Sequence, residues 1–417
     1  MKNKSKHTLV LLPYMFPYGN GEQFLETEIR YLAAYFKQVI LVPFRITGQA
    51  RPLPSGTIVR LDFAHQRPES WQRYLNTTQT ALLSTLFYRE LLARPQTLYQ
   101  PSALKRLLVY TANLVARYQW LETFIQTIRP ESTIFYSYWL LPYVLGLAQL
   151  KSRHPDLKVI SRAHGSDLYE YVFRPAYQPF WEMAVQKVDA LFPISENGKA
   201  YILQKYPAAE PRCEVSRLGV PHPGFQNTPS SDGIFRIVSC SSMVPIKCLD
   251  RIIDGLAAFS HRHPQQLIEW HHLGDGPLRD SLDKYAKAQL PANVRYQFYG
   301  RLSNQQVFDF YQEQSLDVFI NTSSSEGIPV SVMEAQSCGI PAIAPAVGGI
   351  PEIVETENGI LLNRNPTATD IALALETMRH QPTTHQKRNA SYETWNTRFN
   401  ADRNYPAFIL RVMERLN

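Results

Sequence analysis

The sequence predicts an α/β protein made of two doubly wound, Rossmann-like domains facing a central cleft. Three observations lead there. Short apolar runs alternate with helical patterns in both halves, as in parallel sheets covered by helices on both faces. At 417 residues the chain exceeds what one hydrophobic core usually serves. A run rich in Pro, Gly, Ser and Asn, Pro221–Gly233 (PHPGFQNTPSSDG), separates the two halves. Two such domains place ligands at the carboxyl ends of their strands.

The expected organisation is a first domain over residues 1–222, a linker over 223–233, a second domain over 234–400 and a last helix over 401–417. Strands in the first half are expected at Thr8–Leu12, Val39–Phe44, Thr133–Tyr138, Val159–Ala163, Ala190–Ile194 and Glu214–Leu218, with helices including Gln23–Phe36 and Glu196–Tyr206. The N-terminal lysines before an apolar run mimic a secretory leader. That run lacks a small-residue cleavage site and ends in proline and tyrosine, so it reads as the first core strand. Residues Thr133–Leu150 approach the length of a membrane span, but Pro142 interrupts them and a strand followed by a helix accounts for them equally. The second half repeats the rhythm with strands at Phe235–Cys240, Leu267–Leu273, Val294–Tyr299, Leu316–Ile320 and Pro341–Ala344. There, Ile252, Ile253, Leu256 and Phe259 mark the inner face of a helix.

Composition adds limits. A 44% hydrophobic fraction fits globular packing rather than disorder. The four cysteines show no CxxC pairing or metal spacing, which points to a reduced, cytoplasmic protein. The formal charge of +7 is modest, and no recognition-helix, zinc-finger or RRM-like pattern suggests nucleic acid. Residues Leu91–Leu121 contain no acid but include Arg94, Lys105, Arg106 and Arg117 among Tyr99, Tyr110, Tyr118 and Trp120. They read either as a solvated basic helix packed by its aromatic side or as a peripheral docking surface for anionic lipid headgroups on the inner face of the plasma membrane. His261, His263, His271 and His272 invite a metal, yet His271 and His272 alternate across a strand and no carboxylate or cysteine stands at ligand spacing, so no metal site is expected.

The chemistry concentrates in Ser323–Gly359, SSSEGIPVSVMEAQSCGIPAIAPAVGGIPEIVETENG. A strand delivers Glu326 into a loop, Gly327 lets backbone approach a ligand, and Pro329 opens a helix. The amides of that first turn and the positive end of the helix dipole suit a diphosphate. Glu334, about one turn further on, can reach sugar hydroxyls of the same ligand; the alternative is an amphipathic helix with two solvated glutamates. Lys247, just before the helix marked by Ile252 and Ile253, can place a point charge against a diphosphate, or else be a surface lysine.

These residues resemble the donor-binding signature of retaining family-four glycosyltransferases with the GT-B architecture. The resemblance extends over most of the chain and is densest from Ile234 to Leu362. It implies that Glu326 contacts the transferred sugar, that Glu334 holds the ribose, and that the amides of Gly327 and Ile328 lie near the phosphates. The family commonly has an arginine five residues before the lysine, where this chain has Ser242; Arg301 is a candidate to compensate. HLGDGPL (His272–Leu278) resembles a Gly-rich turn where the nucleotide approaches backbone, at Gly274. SRAHGSDLYE resembles the HG-x-D element, whose histidine lines the donor-sugar pocket. That assigns His164, while Asp167 either joins the site or caps the next helix. FPYGNGEQFLETEI matches the Gly-containing turn after the first strand, with Gly19 and Gly21 near phosphates or acceptor, and Glu22 as an acceptor contact or a helix cap.

The resemblance further implies a nucleotide-sugar donor, UDP- or GDP-linked, a glycan or lipid-linked acceptor, and bacterial surface polysaccharide synthesis. It implies retention of anomeric configuration with no metal or other cofactor, a phosphate oxygen of the leaving group accepting the acceptor proton. Lys247 and the helix amides would stabilise the charge that develops on that leaving group. A nucleotide-sugar epimerase or a phosphorylase can share the two-domain plan, though no segment marks the pyridoxal-phosphate lysine of a phosphorylase; a rival of another class is a non-catalytic sugar-nucleotide-binding subunit, favoured only by Ser242.

Overall fold

The computed structural model describes residues 5–19, 21–65, 78–379 and 381–416. Two compact units emerge, residues 1–216 with 405–417, and residues 217–404.

The first unit holds a six-stranded parallel sheet of β1 (Thr8–Leu12), β2 (Gln38–Leu41), β3 (Thr57–Val59), β4 (Thr133–Ser137), β5 (Lys158–Ala163) and β6 (Ala190–Pro193), in the order β3-β2-β1-β4-β5-β6. Its central strands are buried on both faces, as parallel strands under helices must be. Along β1, Leu9 and Leu11 face one core with Ile29 and Leu32 of the helix Leu25–Tyr35; Val10 and Leu12 face the other with Leu107 and Leu114 of the helix Pro101–Phe124. Phe408 and Val412 of the last helix, Ala401–Leu416, join the first of these cores.

A fully buried ion pair crosses that core. The Arg162 guanidinium donates through Nε to the Tyr136 hydroxyl at 2.7 Å and through Nη1 to the Ser216 carbonyl at 2.6 Å. It also lies 3.3 Å from the Glu28 carboxylate. Burial alone would favour its neutral form, but Glu28 together with the neighbouring Tyr136, Tyr138 and Tyr405 outweighs this and holds Arg162 charged. Removing one partner of such a pair typically costs about 3–5 kcal/mol, because the other charge is stranded.

The second unit holds β7 (Ile234–Cys240), β8 (Leu267–Leu273), β9 (Val294–Phe298), β10 (Val318–Ile320), β11 (Ala342–Pro345) and β12 (Gly359–Leu362), in the order β12-β11-β10-β7-β8-β9. Counted from its own first strand and read from the opposite edge, this is the order of the first unit. Each sheet therefore has one switch point where connections leave in opposite directions, between β1 and β4 and between β7 and β10. Ile252, Ile253, Leu256 and Phe259 are buried on the inner face of the helix Leu249–Arg262, as their spacing predicts.

Three expectations change. The edge strands β3 and β12 lie outside the predicted set, and Glu214–Leu218 is not a strand. That segment runs beside β6 with two backbone hydrogen bonds, Glu214 to Leu191 and Ser216 to Pro193, and a single bridge at Cys213. The segment read as a linker packs into the second unit. Buried Asn227 donates to the carbonyls of Tyr311 and Gln314, and Arg388 donates to the Asn227 side chain at 2.9 Å. Residues Thr133–Leu150 form β4 and the start of the helix Leu145–Arg153, and among the described residues no helix is long and apolar enough to cross a membrane.

Candidate functional site

The switch point of the second unit brings two loops together. The loop after β7 carries Ser241 to Lys247, and the loop after β10 carries Asn321 to Pro329. They are laced by Ser324 N–H donating to the Ile246 carbonyl at 2.9 Å and by the Thr322 hydroxyl donating to the carbonyls of Lys247 and Cys248. This lacing sets Lys247 Nζ 2.5 Å from Glu326 Oε1, with Asn321 Nδ2 3.4 Å from the same oxygen. Both partners of the pair are partly accessible. The next connection braces it from behind. Gly349 N–H donates to the Gly327 carbonyl at 2.7 Å, and a Cβ on Gly348 (φ +54) would sit 1.8 Å from the Glu326 carbonyl oxygen. Only glycine fits at Gly348, a requirement the sequence reading missed although the Gly348–Gly349 pair signals it.

Pro329 is the N-cap residue of the helix Val330–Ser337 rather than its first residue. Its carbonyl accepts from Val332 N–H at 3.1 Å, which leaves the first amides of the turn without intrahelical partners beside Gly327 and Ile328. Glu334 sits one turn on, buried, with Asn304 Nδ2 2.5 Å from Oε1. Burial pushes its carboxyl up to about 7, the Asn304 hydrogen bond pulling the other way. Asn304 was not anticipated. It follows Ser303, which caps the helix Asn304–Glu313, and so stands where that helix begins.

The turn after β8 closes the other side of the β7 loop. A Cβ on Gly274 would lie 1.8 Å from the Ser241 carbonyl oxygen. His272 supports the same carbonyl: its Nε2 lies 3.1 Å from Ser241 O and its Nδ1 2.8 Å from Ser239 Oγ, which accepts the Trp270 indole N–H. The contacts fix the tautomer, with the proton on Nε2 donating to the carbonyl. Burial drives His272 down to about 4, so it stays neutral. His271 instead meets the Tyr299 hydroxyl, and no group of metal-ligating side chains forms among the described residues. Ser242 and Arg301 are exposed, and among the described residues Arg301 makes no ion pair.

In the first unit the loops after β1, β4 and β5 meet. Glu22, expected at the acceptor or as a cap, is buried with φ +57 and spends its carboxylate on the chain itself. Oε1 accepts from Tyr14 N–H at 2.8 Å and Trp139 Nε1–H at 2.5 Å; Oε2 accepts from Met15 and Phe16 N–H at 2.7 Å each. Four donors leave this carboxylate little capacity for an acceptor hydroxyl. Arg51 ties the same loop by donating to the carbonyls of Gly19 and Gly21 while pairing with Glu26 at 2.7 Å. Asp167 is likewise an anchor, accepting His164 N–H at 2.6 Å and Leu140 N–H at 2.5 Å. His164 is buried among Phe24, Tyr138 and Trp139, whose rings stand 4.5 to 5.9 Å away, and among the described residues neither ring nitrogen has a hydrogen-bond partner. Nδ1 lies 3.9 Å from Asp167 Oδ2.

Residues 225–394 match the family described as glycosyl transferases group 1. A sulfoquinovosyl transferase of Arabidopsis thaliana is 34% identical over 142 residues, which is 33% of this chain and 26% of that protein. The putative colanic acid biosynthesis glycosyltransferase WcaL of Escherichia coli is 27% identical over 219 residues, 50% of this chain and 52% of that protein. The matches thus span about half or less of these curated relatives. Among solved structures, Anabaena HepE in complex with UDP-glucose aligns over 98% of this chain and 99% of its own, with TM-score 0.64 and 15% identity. Sucrose-phosphate synthase from Thermosynechococcus elongatus aligns over 98% of both chains, with TM-score 0.69 and 14% identity. At such identity the likeness is one of fold: two Rossmann-like domains of the GT-B type. The GT-B fold, and a group 1 match that lies within the second unit, make the chain similar to GT-B glycosyltransferases of the family-four type.

Proposed function

We propose that the chain is a retaining, metal-independent transferase that moves a sugar from a UDP- or GDP-linked donor to a glycan or lipid-linked acceptor, in surface polysaccharide or glycolipid synthesis. The observation that carries the reading is the Lys247–Glu326 pair at the β7/β10 switch point, next to the open amides of the helix Val330–Ser337. Without donor the two charges neutralise each other at 2.5 Å. An arriving diphosphate is a better partner for the ammonium, and its capture by Lys247 frees Glu326 to accept hydrogen bonds from sugar hydroxyls. As the bond from the anomeric carbon to the phosphate oxygen breaks, Lys247 and the amides stabilise the charge left on the diphosphate, and Glu326 favours the positive charge developing on the sugar. The acceptor oxygen bonds to that carbon and its proton passes to a leaving-group phosphate oxygen, so no other base is required.

Glu334 serves the ribose in this reading, and His164, with two unpaired ring nitrogens, serves the transferred sugar. The relatives and neighbours support donor chemistry of this kind: the Anabaena protein was solved with UDP-glucose, and a Corynebacterium glutamicum relative is named as a GDP-mannose-dependent mannosyltransferase. The test is Glu326→Gln, assayed with a panel of UDP- and GDP-sugars. Transfer should fall by at least about 100-fold, while the thermal shift produced by free UDP or GDP stays near that of the parent. Near-parental turnover in the variant would remove the reading, and turnover by the purified parent chain alone excludes a merely binding subunit.

A further inference from the structure

The acid-free stretch that suggested lipid headgroups does not present its charges as the sequence implied. Arg117 is buried against the rings of Phe44 and Tyr143 and donates to the Tyr143 carbonyl. Arg106 donates to the carbonyls of Pro175 and Tyr177 and lies over Phe173. Both are structural, as are Tyr110 and Trp120 in the core.

What this region exposes instead is apolar. Of the fifteen large hydrophobic side chains exposed among the described residues, seven fall between Leu82 and Val109, including the three most exposed: Tyr99 at 86%, Leu92 at 82% and Leu83 at 78%. They follow helical spacing. On the helix Thr85–Ala93 the outward row is Tyr88, Arg89 and Leu92, opposite buried Phe87; on Pro101–Phe124 it is Ser102, Lys105 and Val109, opposite buried Leu107; Leu98 and Tyr99 stand on the turn between them. The basic residues outward here are Arg89, Arg94 and Lys105. From 78 to 121 the sole acid is Glu90, which accepts a hydrogen bond from the Tyr177 hydroxyl.

We infer that this face docks on an anionic lipid bilayer, leucines and tyrosines entering the interface and Arg89, Arg94 and Lys105 meeting the phosphates. Exposed apolar surface of this density marks an interaction site. Three outward cations interleave with the apolar side chains against a single acid in the stretch, Glu90, which is engaged by the Tyr177 hydroxyl, and this basic and aromatic mixture is the chemistry that anionic headgroups complement. The inference stands independently of the donor chemistry, since it uses only the first unit.

The test is co-sedimentation of the full-length protein with phosphatidylcholine vesicles, with and without phosphatidylglycerol, at low and high salt. The parent should pellet with the anionic vesicles at low salt and be released by high salt. Leu92→Ser with Tyr99→Ser should bind at least about tenfold more weakly. Arg94→Glu with Lys105→Glu should lose on the order of thirtyfold, about fivefold for each cation removed, and the anionic preference with it. All side chains changed are exposed, so melting temperatures and transfer to a water-soluble acceptor should match the parent. Absence of binding at low salt, equal binding by the variants, or a parental dimer in solution that the Leu92 variant dissolves would each overturn the inference, the last showing a self-interface.

Discussion

Burial separates the two glutamates of the segment Ser323–Gly359. Glu326 has a cation at 2.5 Å, whereas Glu334 has, among the described residues, only the Asn304 amide on its carboxylate, and burial raises that carboxyl from 4.5 to about 7. A carboxyl raised on folding contributes stability that is fully present below its unfolded value, near 4.5, and is lost as pH climbs through about 7. The folded protein should therefore forfeit up to about 3 kcal/mol over that window through this group. Glu334→Gln, with no proton to lose, should show a flatter dependence of melting temperature on pH between 4.5 and 7 than the parent. Because both proteins share every other titrating group, the difference between their curves isolates Glu334. Superimposable curves would mean that the carboxyl titrates normally.

At the scale of elements, the loops after β1 and β4 are joined by one carboxylate. Glu22 holds three consecutive amides of one loop and the indole of Trp139 from the other, and that indole stands 4.5 Å from the His164 ring. On the role proposed for His164, Trp139 is a positioning residue, hydrogen-bonded to Glu22 and packed against the His164 ring. Trp139→Phe keeps a ring but deletes the N–H; it should lower kcat severalfold, with KM for the donor and the melting temperature changing little. Unchanged kcat would show that the His164 ring is set by Phe24 and Tyr138 alone.

The strand alternation, the helix face at Ile252–Phe259 and the segment from Glu326 to Glu334 were legible because each is local, with its period or spacing written in adjacent residues. Glu22 and Asp167 were recognisable as polar groups in the right loops, but sequence does not say whether a carboxylate turns toward solvent or toward its own chain. Arg162 and Glu28, far apart in sequence, meet only once the sheet forms, so nothing local announces them. Residues Leu91–Leu121 mislead for a related reason: composition counts Arg117 as charge on a surface, while the helical phase puts it inside. The strands β3 and β12 are edge strands of three and four residues, too short for a period to show.

For the whole molecule, two sheets of identical order carry different chemistry at their switch points. That of the second unit presents a lysine, a glutamate and open amides; that of the first has its loop carboxylates occupied by backbone and indole donors. A free nucleoside diphosphate should therefore be bound by the second unit alone. Hydrogen exchange measures this without any assay of turnover. On adding UDP or GDP, amides in Ser241–Cys248 and Ser323–Glu334 should exchange more slowly, at a ligand concentration about 100 times Kd by a factor approaching 100 where opening requires release. Amides of Tyr14, Met15 and Phe16, already committed to Glu22, should be unaffected. Protection confined to the β1 loop would reverse the assignment of the two units, because a diphosphate would then be displacing Glu22 from donors that the structure shows fully engaged.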